Sequence, residues 1–273
     1  MIGVIAGTGT LPGEACKNLL SQHKPFCVIV LFPEDNANEL ESIVAGRAEL
    51  ITQPFYKAHE MLELLKHKGV THVLFIGKVD KRHLLQHIKL DWFALKLLGS
   101  SLSKSDKDLM EILLAELATH GIQTIHQDSV LGGLLVPPGI LTGKLTTALA
   151  TDIKIGMQAA FAIAHANIGQ TVVVKNGMVL AVEAIEGTDA CIKRGLDLAK
   201  NGIVICKAAR HDQNRKFDLP TLGPSSLRHL LKGDIAAIAW LSSSTFIAQK
   251  DLFVQKAQGL GIVLQSVDQI LGN

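Results

Sequence analysis

The chain opens with an apolar run that has no alternation, Ile2–Ala6, and then breaks into Gly7-Thr8-Gly9-Thr10-Leu11-Pro12-Gly13. A strand that is apolar throughout needs cover on both faces, which is the condition of a strand inside a parallel sheet. A helical pattern follows through Leu19 and Leu20, and residues 26–32 form a second buried run, closing a βαβ unit of ordinary length. The alternation then continues. Residues 57–68 are amphipathic, with Met61, Leu62, Leu64 and Leu65 on the apolar side and Gly69 at the end. Residues 73–76 read as a strand, 108–120 as a helix stopped by Gly121, and 122–125 as another strand. Alternating β and α segments predict an α/β, doubly wound sheet with ligands at the carboxyl ends of its strands.

Residues 132–139, GGLLVPPG, carry the punctuation of a linker. We place the domain boundary there, giving an N-terminal nucleotide-binding domain over 1–135 and a C-terminal catalytic domain over 136–273. Residues 146–166 predict one long helix. Thr171–Lys175, Asn176-Gly177 and 178–184 predict a hairpin, because Asn-Gly suits a type I′ turn. Thr188 or Asp189 caps a helix running to Lys200. Strands over 203–206, 235–240 and 262–264, a capped helix from Ser225 or Ser226 and a helix over 250–259 make this half α/β or α+β.

Composition excludes several classes. Aromatic residues are 4% of the 273 and the net charge is +2 with signs interspersed, so no nucleic-acid surface is expected. No run approaches the roughly 20 apolar residues of a membrane span, and the N-terminus lacks the pattern of a signal peptide. Cys16, Cys27, Cys191 and Cys206 show no metal spacing and read as reduced core residues. A cytoplasmic protein is the expectation.

Two regions carry chemistry. Gly7 and Gly9 begin a G-x-G-x-x-G pattern whose third glycine position is Pro12. A nucleotide-contacting loop through Gly7, Gly9, Thr10, Leu11 and Pro12 is therefore expected, but not a full dinucleotide site. Glu34 and Asp35 stand where a ribose-binding acid would. Lys78 leaves the carboxyl end of the 73–76 strand. The second region is 183–223. Glu183, Glu186 and Asp189 crowd one turn, Asp218 lies in the segment FDLPTLG, and Lys207, Arg210, Arg215 and Lys216 lie between them. Acids able to hold a divalent cation beside bases able to hold phosphate suit metal-assisted phosphate chemistry. Outside these regions, His83 and His87 are spaced four apart without a zinc motif and read as a surface pair. The stretch 92–98 is densely apolar and suits a core, a dimer face, or acyl chains at a membrane surface.

The segments IAGTGTLP, FIGKV, LLVPPGILTG, KNGMVLAVEAIEGTDA and the KA…Q…DLPTLG run over 207–223 occur in order along nearly the whole chain. In these the chain resembles the UDP-2,3-diacylglucosamine pyrophosphatases of the LpxI type. The resemblance implies a Rossmann-like N-terminal domain and a distinct C-terminal domain that together enclose the substrate. It implies Mg²⁺-dependent hydrolysis of UDP-2,3-diacylglucosamine to lipid X and UMP, a cytoplasmic step of lipid A synthesis. The family pattern runs KAPKPGQDxRxDLPxIG. Here KAARHDQNRKFDLPTLG keeps Gln213 but has Asn214 where the family has an acid.

On this reading Asp218, Asp189 and Lys207 are the expected catalytic residues, with Mg²⁺ held by Asp218 and Asp189. Gly7, Gly9, Thr10, Leu11, Pro12, Lys78, Glu186, Gly187, Thr188, Arg210, Gln213 and Lys216 are expected to bind the substrate. The expected partners are a lipid-linked UDP-sugar, the inner-membrane surface in passing, and a second copy of the chain. The alternatives are a nucleotide-sugar binding or regulatory protein left inert by Asn214, and a nicotinamide-dependent oxidoreductase, which Pro12 opposes.

Overall fold

The fold is that of a computed structural model, which describes residues 1–54, 57–78, 106–210, 214–217, 219–228 and 230–268. The chain divides into two units, Met1–Leu131 with Arg215–Phe217, and Gly132–Asn214 with Asp218–Asn273.

The first unit contains β1 (Ile2–Ala6), α1 (Leu11–Ser21), β2 (Phe26–Val30), α2 (Pro33–Val44), β3 (Glu49–Thr52), α3 (Ala58–His67), β4 (His72–Ile76), α4 (Asp106–Thr119), β5 (Gln123–Thr124) and α5 (Asp128–Leu131). Its five strands are all parallel, in the order β3-β2-β1-β4-β5. One face of the sheet, through Ile5, Cys27, Ile29 and Val73, packs on Leu62 and Leu65 of α3 and Leu117 of α4. On the other face, α1 and α2 contact β1, β4 and β2. Cover on both faces is what the unalternating strands demanded. The chain reverses its winding direction between β1 and β4, and such switch points are where α/β sheets bind ligands.

Helix α2 was not read from the sequence. It begins at Pro33, and Glu34 and Asp35 lie in its first turn, where acids offset the helix dipole.

The second unit is built on a six-stranded sheet in the order β6-β13-β11-β9-β7-β8. The strands are β6 (Gly139–Thr142), β7 (Thr171–Lys175), β8 (Met178–Val182), β9 (Ile203–Lys207), β11 (Ile235–Leu241) and β13 (Val263–Val267). β9, β11 and β13 run parallel, while β6, β7 and β8 are antiparallel to their neighbours. Ile203 and Ile205 of β9 face α7 (Thr188–Ala199) and α8 (Lys250–Leu260), in a core that includes Trp240 and Phe253. Val204 and Cys206 face α6 (Thr147–His165). The expected hairpin is present, with Asn176 and Gly177 at φ 50° and 78° as a type I′ turn requires. The buried Asp152 of α6 accepts from the N–H groups of Asn176 (3.0 Å) and Gly177 (2.6 Å), which ties the turn to the helix.

Two expectations change. The helix expected from Ser225 or Ser226 is a single 3₁₀ turn, Pro224–Leu227. Residues at the end of the expected linker begin β6, whose partner β13 is too far along the chain for local reading to find. A small parallel pair, β10 (Thr221–Leu222) and β12 (Phe246–Ile247), completes this unit. All four cysteines are free and buried, as expected, and burial pushes the Cys16 thiol up to about 12. His83, His87, the 92–98 stretch, Gln213 and Asp218 lie outside the described residues.

Candidate functional site

The carboxyl ends of β1 and β4 are stitched together by main chain. Gly7 N–H donates to Ile76 O (2.9 Å), Thr8 N–H to Lys78 O (2.8 Å) and Lys78 N–H to Thr8 O (2.9 Å). A Cβ on Gly7 would stand 2.4 Å from Lys78 O, so the first glycine is needed for the approach of two chain segments. Gly9 differs. It is exposed, its φ is 93°, and a Cβ there would meet nothing within 4 Å among the described residues. Leu11 and Pro12 are buried in the first turn of α1, where a proline without an N–H costs nothing. The buried Asn36 side chain donates to Gly7 O (2.7 Å), and its Oδ1 has no partner among the described residues.

A second polar cluster lies at the carboxyl end of β9. Lys207 is only 7% exposed. Its Nζ donates to the hydroxyls of Thr171, at the start of β7, and Thr188, at the start of α7, both at 3.2 Å. The strand register makes the first contact: Thr171 pairs with Lys207 across β7 and β9, and Trp240 pairs with Lys207 across β11 and β9. Thr188 donates to Glu183 Oε1 (2.8 Å), and Gln170 N–H donates to Glu183 Oε2 (3.3 Å). Burial works to raise the Glu183 carboxyl. The Lys207 charge, the hydroxyls of Thr171 and Thr188 and the Gln170 N–H outweigh it, and the group sits below the ordinary glutamate value. The cluster therefore joins a buried ammonium to the N-terminus of α7, where the first backbone N–H groups lack helical partners and favour anions.

Comparison with known proteins bears on both halves. The LpxI N-terminal domain model matches residues 1–134, and the LpxI C-terminal domain model matches 137–265. The chain belongs to the LpxI family. It is 28% identical to the UDP-2,3-diacylglucosamine pyrophosphatase LpxI of Caulobacter vibrioides over 282 residues, which cover 98% of this chain and 97% of that protein. Among solved structures, a UDP-glucose-4-epimerase from Stenotrophomonas maltophila aligns with a TM-score of 0.31 and 17% identity. That alignment covers 45% of this chain and 34% of the epimerase, a likeness too slight to bear on fold or function.

Within this family member, the residues expected from the sequence have different surroundings. Lys207 and Thr188 are in contact. Gly187 is the N-cap of α7 with φ 84°, and Asp189 is exposed in the first turn of that helix. Glu186 is turned to Arg194 (2.8 Å), which also donates to Val182 O. Arg210 donates to Asn167 (3.1 Å). Lys216 belongs to the first unit, where its neighbour Arg215 grips Asp128 Oδ2 at 2.9 and 2.6 Å. The three acids at 183–189 thus have separate environments. Among the described residues, no group of three or more His, Cys, Asp or Glu side chains is placed to hold a metal ion.

Two features escaped sequence reading. Thr171 sits in an apolar strand and gave no signal as a lysine ligand. Ser244 and Thr245, in the turn after β11, are buried with hydroxyls that have no partner among the described residues. They precede β12, and Phe246 N–H donates to Pro220 O (2.8 Å), which puts this turn beside the start of β10.

Proposed function

We propose that this chain hydrolyses the pyrophosphate of UDP-2,3-diacylglucosamine, releasing lipid X (2,3-diacylglucosamine 1-phosphate) and UMP in lipid A synthesis. The family membership supports the substrate class. The observation that carries the chemistry is the buried Lys207 ammonium set against the N-terminus of α7. Breaking a pyrophosphate bond requires the negative charge of the phosphoryl oxygens to be offset, and fixed donors in a water-poor site do this better than solvent.

In this reading Lys207 and the first N–H groups of α7 bind the phosphoryl oxygens. Lys207 is held by two hydroxyls before substrate arrives, so little reorganisation is required of it. Arg210 and Lys216 add positive charge, and Gln213 and Glu186 complete the substrate contacts. The turn at Thr8, Gly9 and Thr10 is the reading for the nucleotide, because Gly9 leaves its backbone open. Asp218 orients the attacking water and accepts its proton.

Mg²⁺ is the proposed cofactor, with Asp218 and Asp189 as its carboxylate ligands; it would offset phosphoryl charge. The described residues offer only Asp189 of that pair, so no step above passes through the ion. A lipid product implies contact with a membrane surface, and among the described residues no helix is long and apolar enough to cross one. Assembly with a second copy remains part of the proposal.

A second reading, binding of the nucleotide-sugar without turnover, is favoured by Asn214 in place of the family acid. The experiment is incubation of the purified protein with UDP-2,3-diacylglucosamine and Mg²⁺ in ¹⁸O-labelled water, followed by mass spectrometry. Labelled UMP or labelled lipid X is the expected outcome. Bound but intact substrate overturns the hydrolase in favour of the binder. Turnover undiminished by EDTA removes Mg²⁺ from the proposal.

A further inference from the structure

Glu183 has no role in the reaction above, yet it is tied into the cluster that carries it. Its Oε1 accepts the Thr188 hydroxyl proton at 2.8 Å, and its Oε2 accepts the Gln170 N–H at 3.3 Å. A hydroxyl has one proton to give. Because Thr188 gives it to Glu183, its lone pairs are turned to the Lys207 ammonium, 3.2 Å away. The chain of contacts therefore has a direction, from acceptor-only carboxylate through hydroxyl to donor-only ammonium.

We infer that Glu183 is a positioning residue which, acting through the Thr188 and Thr171 hydroxyls, fixes the Lys207 ammonium at the carboxyl end of β9 without itself touching substrate. The inference rests on the proposed hydrolysis for its kinetic consequences, but the positioning exists without substrate.

The Thr171 hydroxyl, which accepts from Lys207 and also bonds Glu183, gives the same carboxylate a second link, and the neighbouring acids offer none among the described residues. Glu186 is paired with Arg194. Asp189 is exposed, one residue beyond Thr188. The neighbouring strands β7 and β11 bring Thr171 and Trp240 to the level of Lys207, and neither titrates near neutral pH. Glu183 remains ionised, since the positive charge and donors around it more than offset its burial. Each bond also comes from a different element: β9 supplies the lysine, β7 and α7 the hydroxyls, and the segment after β8 the carboxylate. A flexible lysine side chain is thereby held from two sides.

An amide cannot replace the carboxylate. Gln170 N–H needs an acceptor, so glutamine at position 183 turns its oxygen there and its NH₂ to Thr188. The Thr188 lone pairs are then claimed by the amide, in competition with Lys207, and the direction of the chain reverses.

The test measures steady-state hydrolysis of UDP-2,3-diacylglucosamine by the full-length protein and four variants. Glu183→Gln is expected to lower kcat about 10- to 100-fold with KM changed only a few-fold, the scale on which a misplaced group costs rate. Thr188→Val should cost no more than this, Thr188→Ser should recover most of what Thr188→Val loses, and the Glu183→Gln/Thr188→Val pair should be no slower than Glu183→Gln alone. Additive losses in the pair overturn the relay.

A second readout needs no turnover. In ¹⁵N-lysine NMR of the free protein, the Lys207 ammonium, assigned by its disappearance in Lys207→Arg, is expected to exchange slowly with water. It should be lost to fast exchange in Glu183→Gln and Thr188→Val and kept in Thr188→Ser. A Lys207 signal unchanged in Glu183→Gln overturns the inference even if the protein folds normally. A wild-type protein that leaves the substrate intact refutes the proposed hydrolysis, and the NMR comparison then still decides the positioning role.

Discussion

Alanine at Gly7 and alanine at Gly9 should have different consequences, although both replace a glycine of the same loop. At Gly7 the new Cβ would lie 2.4 Å from Lys78 O, about 1 Å inside an ordinary contact, and the obstacle is backbone. Relief requires the β1 and β4 loops to part, which breaks the bonds Thr8 N–H to Lys78 O and Lys78 N–H to Thr8 O and strains Gly7 N–H to Ile76 O. At about 1 kcal/mol net for each bond, the loss is about 2–3 kcal/mol. At Gly9 space is open, and the cost is the left-handed backbone alone, about 1 kcal/mol.

Hydrogen exchange followed by mass spectrometry reports opening within the first unit, which a global melt of a two-unit chain does not isolate. Peptides covering β1 and β4 should exchange faster in Gly7→Ala by a factor of about 30–150, and by about 5 in Gly9→Ala, if opening free energy sets the rate. The nucleotide readout should run the other way. Gly9→Ala should weaken UMP binding by more than its small stability loss explains. If Gly7→Ala leaves exchange of β1 and β4 unchanged, or if Gly9→Ala is the more damaging of the two, the separation of roles is wrong.

Four further outcomes are expected. Asp152→Ala removes the acceptor for two turn N–H groups and should lower stability by about 2–3 kcal/mol, visible as an earlier thermal transition, while Thr151→Ala, its exposed neighbour, should change little. Lys207→Met should reduce hydrolysis at least about 100-fold with the far-ultraviolet spectrum intact, and Lys207→Arg should not rescue it, since a guanidinium does not fit a site shaped for a point charge. Asp218→Ala should abolish turnover and keep substrate binding, and Asn214→Asp should leave turnover unchanged or raise it; a fully active Asp218→Ala removes that residue from the mechanism.

The fourth concerns pH. The folded Glu183 carboxyl lies below its ordinary value of 4.5, so its contribution to stability is present above that value and is lost as pH falls through the depressed folded value. Circular dichroism on acidification below about pH 4.5 should show a steeper loss for wild type than for Glu183→Gln; equal slopes count against a charged Glu183.

Much of the architecture was legible because it is written in short-range periodicity. Unalternating strands such as Ile2–Ala6 demanded cover on both faces, and Asn176-Gly177 demanded a tight turn, whatever the rest of the chain did. The elements that were missed lack such local marks. β6 is four residues beside a Pro-Gly turn, and it becomes a strand only because β13 lies alongside. α2 has a mixed surface in which Asn36, Leu40 and Val44 alone are buried. Ser225 and Ser226 gave a capping pattern, yet the segment forms a single 3₁₀ turn, Pro224–Leu227.

The candidate site divides the same way. The sequence by itself determined the two-part α/β organisation, the residue types available for phosphate chemistry and, through ordered motifs along the chain, membership in the LpxI family. Tertiary structure alone decided that Gly7 serves chain-to-chain approach while Gly9 stays open, that Glu186 is committed to Arg194, and that Lys207, Thr171, Thr188 and Glu183 meet. Those four come from separate elements, with Lys207 36 residues from Thr171 and 19 from Thr188. Hydrophobic periodicity acts within a few residues and fixes which face a side chain takes. Which side chains then touch depends on the register between β7, β9 and β11 and on where α7 begins, and those are properties of the assembled sheet.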